Sequence, residues 1–300
     1  MTGTEHAAAP VRQVGVVGCG QMGAGFAEIC ARRGLAVHVV APSEDSVGRG
    51  RARLRRSLDR LVRKEKIDEG EREAALDRIT FSTELKDLRH SDFVLESIAE
   101  DLAAKSEVFA ALDLVVEDPA AVLASTTSSL PIMRIGRVAD DPARVIGVHF
   151  FNPVQVMPLV EVIGSLRTSE ATVARTVSFL DGVLGKQVVR VKDQVGFMVN
   201  SVFVPFLMSA VRAVESGVAT AEDVDRGLTQ GCGHPMGPLA LIDMIGLDTV
   251  VAVGEAMYAE TKEPLHAPPA LLLRMVEGGF LGRKSGRGFY EHPAGPGQRG

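Results

Sequence analysis

Short apolar runs alternate with helical patterns over the first part of the chain. Residues 14–17, 35–40, 93–95, 122–124, 145–150 and 159–163 are runs rich in Val, Ile, Leu and Phe. Runs of this length suit strands buried on both faces. Between them, residues 24–33, 46–66, 69–77, 102–116 and 169–184 place apolar side chains at helical spacing. The alternation predicts an α/β architecture, a doubly wound parallel sheet with helices on both faces. Residues 186–191 read as its last strand. From Val195 onward the patterns are helical only, which divides the chain into a sheet domain, residues 1–190, and an all-helical C-terminal domain, residues 191–300.

The first strand runs into Gly18-Cys19-Gly20-Gln21-Met22-Gly23, followed by a helical pattern with Phe26, Ala27, Ile29 and Cys30 on its apolar face. A G-x-G-x-x-G turn between a strand and a helix is the phosphate turn of a Rossmann-type dinucleotide-binding unit. The first glycine permits the tight turn and the second lets backbone approach a pyrophosphate. The third lets helix pack on strand, and the helix N-terminus faces the negative charge. The acidic residue expected at the end of the second strand is replaced by Ala41, and the nearest arginine beyond it is Arg49. The strand end therefore leaves NAD and NADP both open.

The 300 residues leave room for a large core in two domains, and 46% hydrophobic content suits a globular chain. A formal net charge of −5 gives no global attraction to nucleic acid or a membrane surface. Three cysteines, Cys19, Cys30 and Cys232, show no metal-ligand spacing and fit a reducing, cytoplasmic setting. The uncharged stretch 195–211 contains Gly196, Asn200, Ser201, Pro205 and Ser209. It reads as a helix buried in protein and kinked at Pro205, not as a membrane span. Both chain ends, residues 1–10 and 292–300, read as loose.

Several polar residues sit where apolar neighbours make them costly. His149 ends an apolar strand and is followed by Asn152-Pro153, so it lies where open α/β sheets bind ligands. Glu161 is embedded in Val160-Glu161-Val162-Ile163. A buried carboxylate needs a partner, and His149 is the economical one. A carboxylate on one imidazole nitrogen fixes the tautomer and raises basicity at the other, the dyad that hydroxyl oxidation requires. A core histidine satisfied by backbone and a glutamate reaching solvent are the bland alternatives. Ser125 to Ser129 are hydroxyl residues after a strand, suited to capping a helix or to contacting a ligand. Asn200 lies in an apolar helix, where its amide needs partners. In residues 46–66, Leu54, Leu58, Leu61 and Val62 form an apolar stripe, and nine basic side chains against two acidic ones fall between Arg49 and Lys66. That face is either a solvated surface or a dock for a multiply charged partner.

Taken together, these residues resemble the short-chain 3-hydroxyacyl-CoA dehydrogenase family over residues 13–290. The resemblance is carried by the phosphate turn, Thr127-Ser128-Ser129-Leu130, His149-Phe150-Phe151-Asn152-Pro153 and Val160-Glu161-Val162. Gly196-Phe197-Met198-Val199-Asn200, His234-Pro235-Met236-Gly237-Pro238, Gly246-Leu247-Asp248-Thr249 and the Gly282–Tyr290 stretch add to it. It implies that His149 is the general base and Glu161 its partner, with Ser128 and Asn200 on the substrate oxygen and thioester region. It implies cofactor contacts from Gly18, Gly20, Gln21, Met22, Gly23, Ala41, Glu100, Lys105, Asn152 and Lys284. Ser57 and Lys64 match positions that contact coenzyme A. The implied cofactor is NAD, with NADP open, and the implied partners are an acyl-CoA substrate and a second copy of the chain. No metal, nucleic acid or membrane is implied, and the helical domain would close the substrate cleft and dimerise.

Thr126, Val195 and Ser201, like Ala41, depart from the family pattern. An acyl group on a carrier protein of polyketide extender-unit biosynthesis is the alternative substrate. A non-catalytic crystallin-like or dinucleotide-sensing role is the alternative class.

Overall fold

The computed structural model describes residues 10–292. The expectations for residues 1–9 and 293–300 lie outside the described residues. Contacts divide the chain into two compact units between Gln194 and Val195.

The first unit opens with β1 (Gln13–Val17), α1 (Gln21–Arg32), β2 (Ala36–Val40), α2 (Glu44–Arg63), α3 (Glu69–Asp77) and β3 (Ile79–Ser82). It continues with β4 (Phe93–Glu96), α4 (Leu102–Val115), β5 (Val122–Ser125), α5 (Ile132–Gly136), β6 (Val145–Phe150), β7 (Leu159–Gly164), α6 (Glu170–Val177) and β8 (Gln187–Lys192). The strands form one eight-stranded sheet in the order β3-β2-β1-β4-β5-β6-β7-β8. The order reverses between β1 and β4, and the crevice beyond their carboxyl ends is where a doubly wound sheet receives its ligand.

Three local features differ from the sequence expectation. The strand β3 was absent from the predicted elements, because Ile79-Thr80-Phe81-Ser82 alternates and is only four residues long. β7 pairs antiparallel with β6, whereas every other pair is parallel. Only the eight residues 151–158 join those two strands, fewer than the dozen or so a parallel crossover needs. The helix expected over 169–184 ends at Val177 and continues as a π-helical turn, Ser178–Val183.

The core of this unit centres on α1. Phe26 is fully buried and packs on Phe93, Phe150 and Phe179 at ring distances of 6.0, 5.5 and 6.4 Å. One cluster of four aromatic side chains thus holds α1 on the sheet, and with it the glycine turn that precedes it.

The second unit consists of α7 (Val199–Glu215), α8 (Ala221–Arg226), α9 (Pro238–Ile245), α10 (Leu247–Thr261) and α11 (Ala270–Glu277). Val204, Leu207, Met208 and Val211 of α7 form its buried stripe, packed with Leu239, Ile242, Leu247 and Val250. Val202, on the other face, is 70% exposed, so α7 is amphipathic and not buried all round.

Two buried carboxylates organise this unit. Asp225 accepts from the amides of Leu239 and Ala240 at the start of α9, and from the Tyr290 hydroxyl. Asp243 accepts from the amides of Phe289 and Tyr290. Gly282 and Gly288 lie against Asp243 so closely that a Cβ at either would collide with it. Gly282 and Gly288 permit this approach.

Candidate active site

The glycine turn and the sheet edge define a cofactor groove. Gly18 has φ +93°, and a Cβ there would strike the carbonyl oxygen of Ser97, just beyond β4. A Cβ on Gly23 would strike the carbonyl oxygen of Gly18. These two glycines close the turn and seat α1 on the strand. Gly20 differs: a Cβ built on it meets nothing within 4 Å. Its bare backbone opens onto a groove of about 530 Å³ lined by the whole turn from Gly18 to Met22, by Ala41 and Pro42, and by Ser97, Ile98 and Ala99. That bare backbone and the start of α1 suit a dinucleotide pyrophosphate. On its other side, Gln21 donates its amide to Asn152 Oδ1 at 2.8 Å.

A buried charge network stands at the ends of β4 and β5. Glu96, the last residue of β4, is fully buried and accepts from Lys105 Nζ at 2.7 Å and Ser125 Oγ at 2.6 Å. Lys105 is itself 1% exposed and reaches Glu100 at 3.4 Å. Glu100 Oε1 gathers the hydroxyl turn, accepting from Thr127 Oγ1, from the Ser128 and Ser129 amides and from Ser129 Oγ. Burial alone would raise the Glu100 carboxyl. The hydrogen bond from Thr127, the Lys105 charge and the bonds from Ser128 and Ser129 outweigh it and hold the group below its ordinary value. The turn that carries Ser128 is therefore fixed from below by an ionised carboxylate. Thr126 Oγ1 is buried with no hydrogen-bond partner among the described residues.

His149 and Glu161 stand directly opposite each other in the antiparallel ladder of β6 and β7. Opposed residues have Cβ atoms roughly 5 Å apart, which brings Nδ1 of His149 to 2.7 Å from Glu161 Oε2. Glu161 is fully buried and His149 is 6% exposed, with Phe151 against its ring. With Nδ1–H donated to a carboxylate, Nε2 is the basic nitrogen. β5 and β6 are parallel neighbours, so Ser128 and His149 belong to the same carboxyl edge of the sheet as the glycine turn.

Ser57 lies on α2 and Lys64 caps its C-terminus. They line a second groove of about 470 Å³, together with Arg53, Arg56, Arg60, Gln21 and Asn152. The cationic face of α2 is thus the wall of a cavity that shares Gln21 with the cofactor groove. Asn200 and Lys284 belong to the second unit. Asn200 is half-buried in the first turn of α7, not deep in a helix interior. Lys284 Nζ is paired with Asp248.

Glu96 and Arg53 are absent from the sequence-derived site. Glu96 carries a weaker form of the signal that singled out Glu161, since it closes the apolar run Phe93-Val94-Leu95 and Glu161 lies inside one. Arg53 donates to the carbonyl of Cys19 inside the turn at 2.6 Å, a long-range contact that no spacing reveals. Among the described residues, no group of three His, Cys, Asp or Glu side chains is placed to hold a metal ion.

A doubly wound sheet with a glycine turn at its switch point and a buried histidine–carboxylate pair at the same edge defines a dinucleotide-dependent oxidoreductase. The particular family follows from comparison with known proteins. The chain belongs to the 3-hydroxyacyl-CoA dehydrogenase family, whose NAD binding domain matches residues 13–194 and whose C-terminal domain matches residues 196–292. NAD is the cofactor of that first domain. A 3-hydroxybutyryl-CoA dehydrogenase of Mycobacterium tuberculosis is 54% identical over 282 residues, 94% of this chain and 99% of that protein. The crystal structure of M. tuberculosis FadB2 matches with a TM-score of 0.92 and 54% identity, covering 95% of this chain and 100% of that one. The (S)-3-hydroxybutyryl-CoA dehydrogenase PaaH1 of Ralstonia eutropha matches with a TM-score of 0.90 and 44% identity, covering 94% and 99%.

Proposed function

We propose that this protein interconverts (S)-3-hydroxyacyl-CoA and 3-ketoacyl-CoA, with short acyl groups such as 3-hydroxybutyryl, and that His149 is its general base. The observation that carries the reading is the buried 2.7 Å contact of His149 Nδ1 with Glu161 at the carboxyl edge of the sheet. In oxidation, Nε2 of His149 takes the proton of the 3-hydroxyl as the C3–H bond gives up a hydride. NAD, when bound, supplies the acceptor for that hydride. Glu161 holds the ring in one tautomer and stabilises the imidazolium that forms. Ser128, on the turn fixed by Glu100, donates to the substrate oxygen. The assignment of Asn200 to the thioester region, of Lys284 to the cofactor, and of Ser57 and Lys64 to coenzyme A rests on the family resemblance.

The test is NADH consumption with acetoacetyl-CoA beside His149→Gln. The variant should lose about 10²- to 10⁴-fold in turnover while still folding and binding NADH. Normal turnover in the variant would remove His149 from the mechanism. Reduction should need protonated His149 and oxidation the neutral ring, so the two directions should have opposite pH preferences.

The cationic wall of α2 favours a second reading, in which the acyl group rides on an acidic carrier protein. Faster turnover of carrier-bound than of CoA-bound substrate would select it; equal rates would sink it. The same proposal places the enzyme in the cytoplasm, where its three thiols stay reduced, as a homodimer. The homodimer rests on the family resemblance, and a monomeric mass by light scattering would refute it.

A further inference from the structure

The adenosine end of the cofactor groove carries cations and hydroxyls where a carboxylate would be expected. Beyond Ala41 its lining is Pro42, Ser46, Arg49 and Arg53, and no Asp or Glu is among the lining residues. The helix α2 lies directly on the glycine turn at Gly50, where a Cβ would come within 2.5 Å of Cys19 Sγ. Arg49 and Arg53 flank that contact. Arg53 is engaged with the Cys19 carbonyl. Arg51 is turned away, over the ring of Phe81.

Arg49 donates to Ser46 Oγ at 2.7 Å, and Ser43 Oγ donates to the same oxygen at 3.1 Å. Arg49 makes no ion pair among the described residues. Glu44 and Asp45, on the first turn of α2, stand outside the lining. A ribose 2′-hydroxyl is selected by an accepting carboxylate, and a 2′-phosphate by an arginine and hydroxyl donors. Here the acceptor is missing and the donors are present.

We infer that this end of the groove is built for a 2′-phosphate, so that the protein binds NADPH at least as tightly as NADH, with Arg49 and Ser46 holding the phosphate beyond Ala41. The inference rests on the reading of the groove as a dinucleotide site. It goes beyond the family's NAD by assigning the residues that set the choice at the ribose.

The test is direct binding without substrate, by calorimetry, of NADPH and NADH to the full chain. NADPH should bind with an equal or lower Kd, and its advantage should shrink at high salt. Arg49→Ala should weaken NADPH about tenfold, the loss of one charge-assisted hydrogen bond, and leave NADH within about twofold. Ala41→Asp should reverse the preference, and its melting temperature together with its retained NADH binding reports that it folds. Wild-type protein that binds NADH more tightly than NADPH overturns the inference, as does Arg49→Ala weakening both ligands alike. Binding of NADH alone leaves the dinucleotide groove standing and removes only the 2′-phosphate site. Binding of neither removes both.

Discussion

The two units bury charge by different means. In the first, buried carboxylates meet basic side chains: Glu96 meets Lys105, Asp113 meets Arg144, and Glu161 meets the His149 ring. In the second, Asp225 and Asp243 meet backbone amides first, with Tyr290 and His292 as their side-chain partners. Glu96 with Lys105 and Glu161 with His149 bring side chains from separate strands and helices to the carboxyl edge of the sheet, whereas Asp113 with Arg144 ties α4 to the start of β6. The second ties a C-terminal stretch to the start and end of one short helix. The difference separates charge that positions chemistry from charge that folds a chain end. Asp225 needs no cation, because the backbone donors at the N-terminus of α9 stabilise the ion.

Breaking one partner in each unit measures that difference. Lys105→Met leaves Glu96 buried beside Ser125 with its cation gone, and should cost about 3–5 kcal/mol in chemical denaturation. Phe26→Ala, which removes the central ring of the same unit without touching charge, should cost a similar 3–5 kcal/mol, roughly. Equal losses would show that the first unit depends on its ion pairs as much as on its core. Asp243→Asn keeps the shape and part of the accepting capacity, so its cost should be lower, about 1–3 kcal/mol. If it matched Lys105→Met, the distinction between the units would fail.

Acid should act on the first unit through His38 and Glu100. Burial lowers the His38 ring below its ordinary value of 6.5, against the pull of Asp87. The unfolded chain then binds more protons at this site, so stability rises with pH through that window and falls as pH drops below about 6.5. Glu100, held below 4.5, adds its own loss at lower pH, as acid protonates the carboxylate that fixes the Ser128 turn. Melting curves of wild type, His38→Gln and Glu100→Gln from about pH 2 to about pH 8 check this; a wild-type slope unchanged in both variants would refute it.

The smallest effect belongs to Tyr290→Phe. Burial and Asp225 hold the Tyr290 phenol well above its ordinary range, so it donates at every working pH. Losing that bond should cost about 1 kcal/mol, or up to about 3 if Asp225 is left short of a donor.

Much of the candidate site was legible because its chemistry follows short-range rules. A glycine turn needs its glycines at fixed offsets, and a carboxylate inside an apolar run must find a partner, so Gly18 to Gly23 and Glu161 stand out in one dimension. Glu96 carried a weaker form of the signal, because it closed a strand of only four residues, too short to mark it as embedded. The strand β3 was hidden by its alternation, and the reversal of β7 lay in the length of a loop.

The sequence by itself determined the alternation of strands and helices, the phosphate turn and the residue types available for proton transfer, because each depends on spacing within one or two elements. Only the tertiary structure decided which residues meet. The ladder register set His149 against Glu161, twelve residues apart. Lys105 was folded back onto Glu96, and the packing of α2 on the glycine turn brought Arg49 and Ala41 to the lining of one groove. Those meetings depend on strand order and helix packing, which arise from burial of the whole core and from no local run of residues.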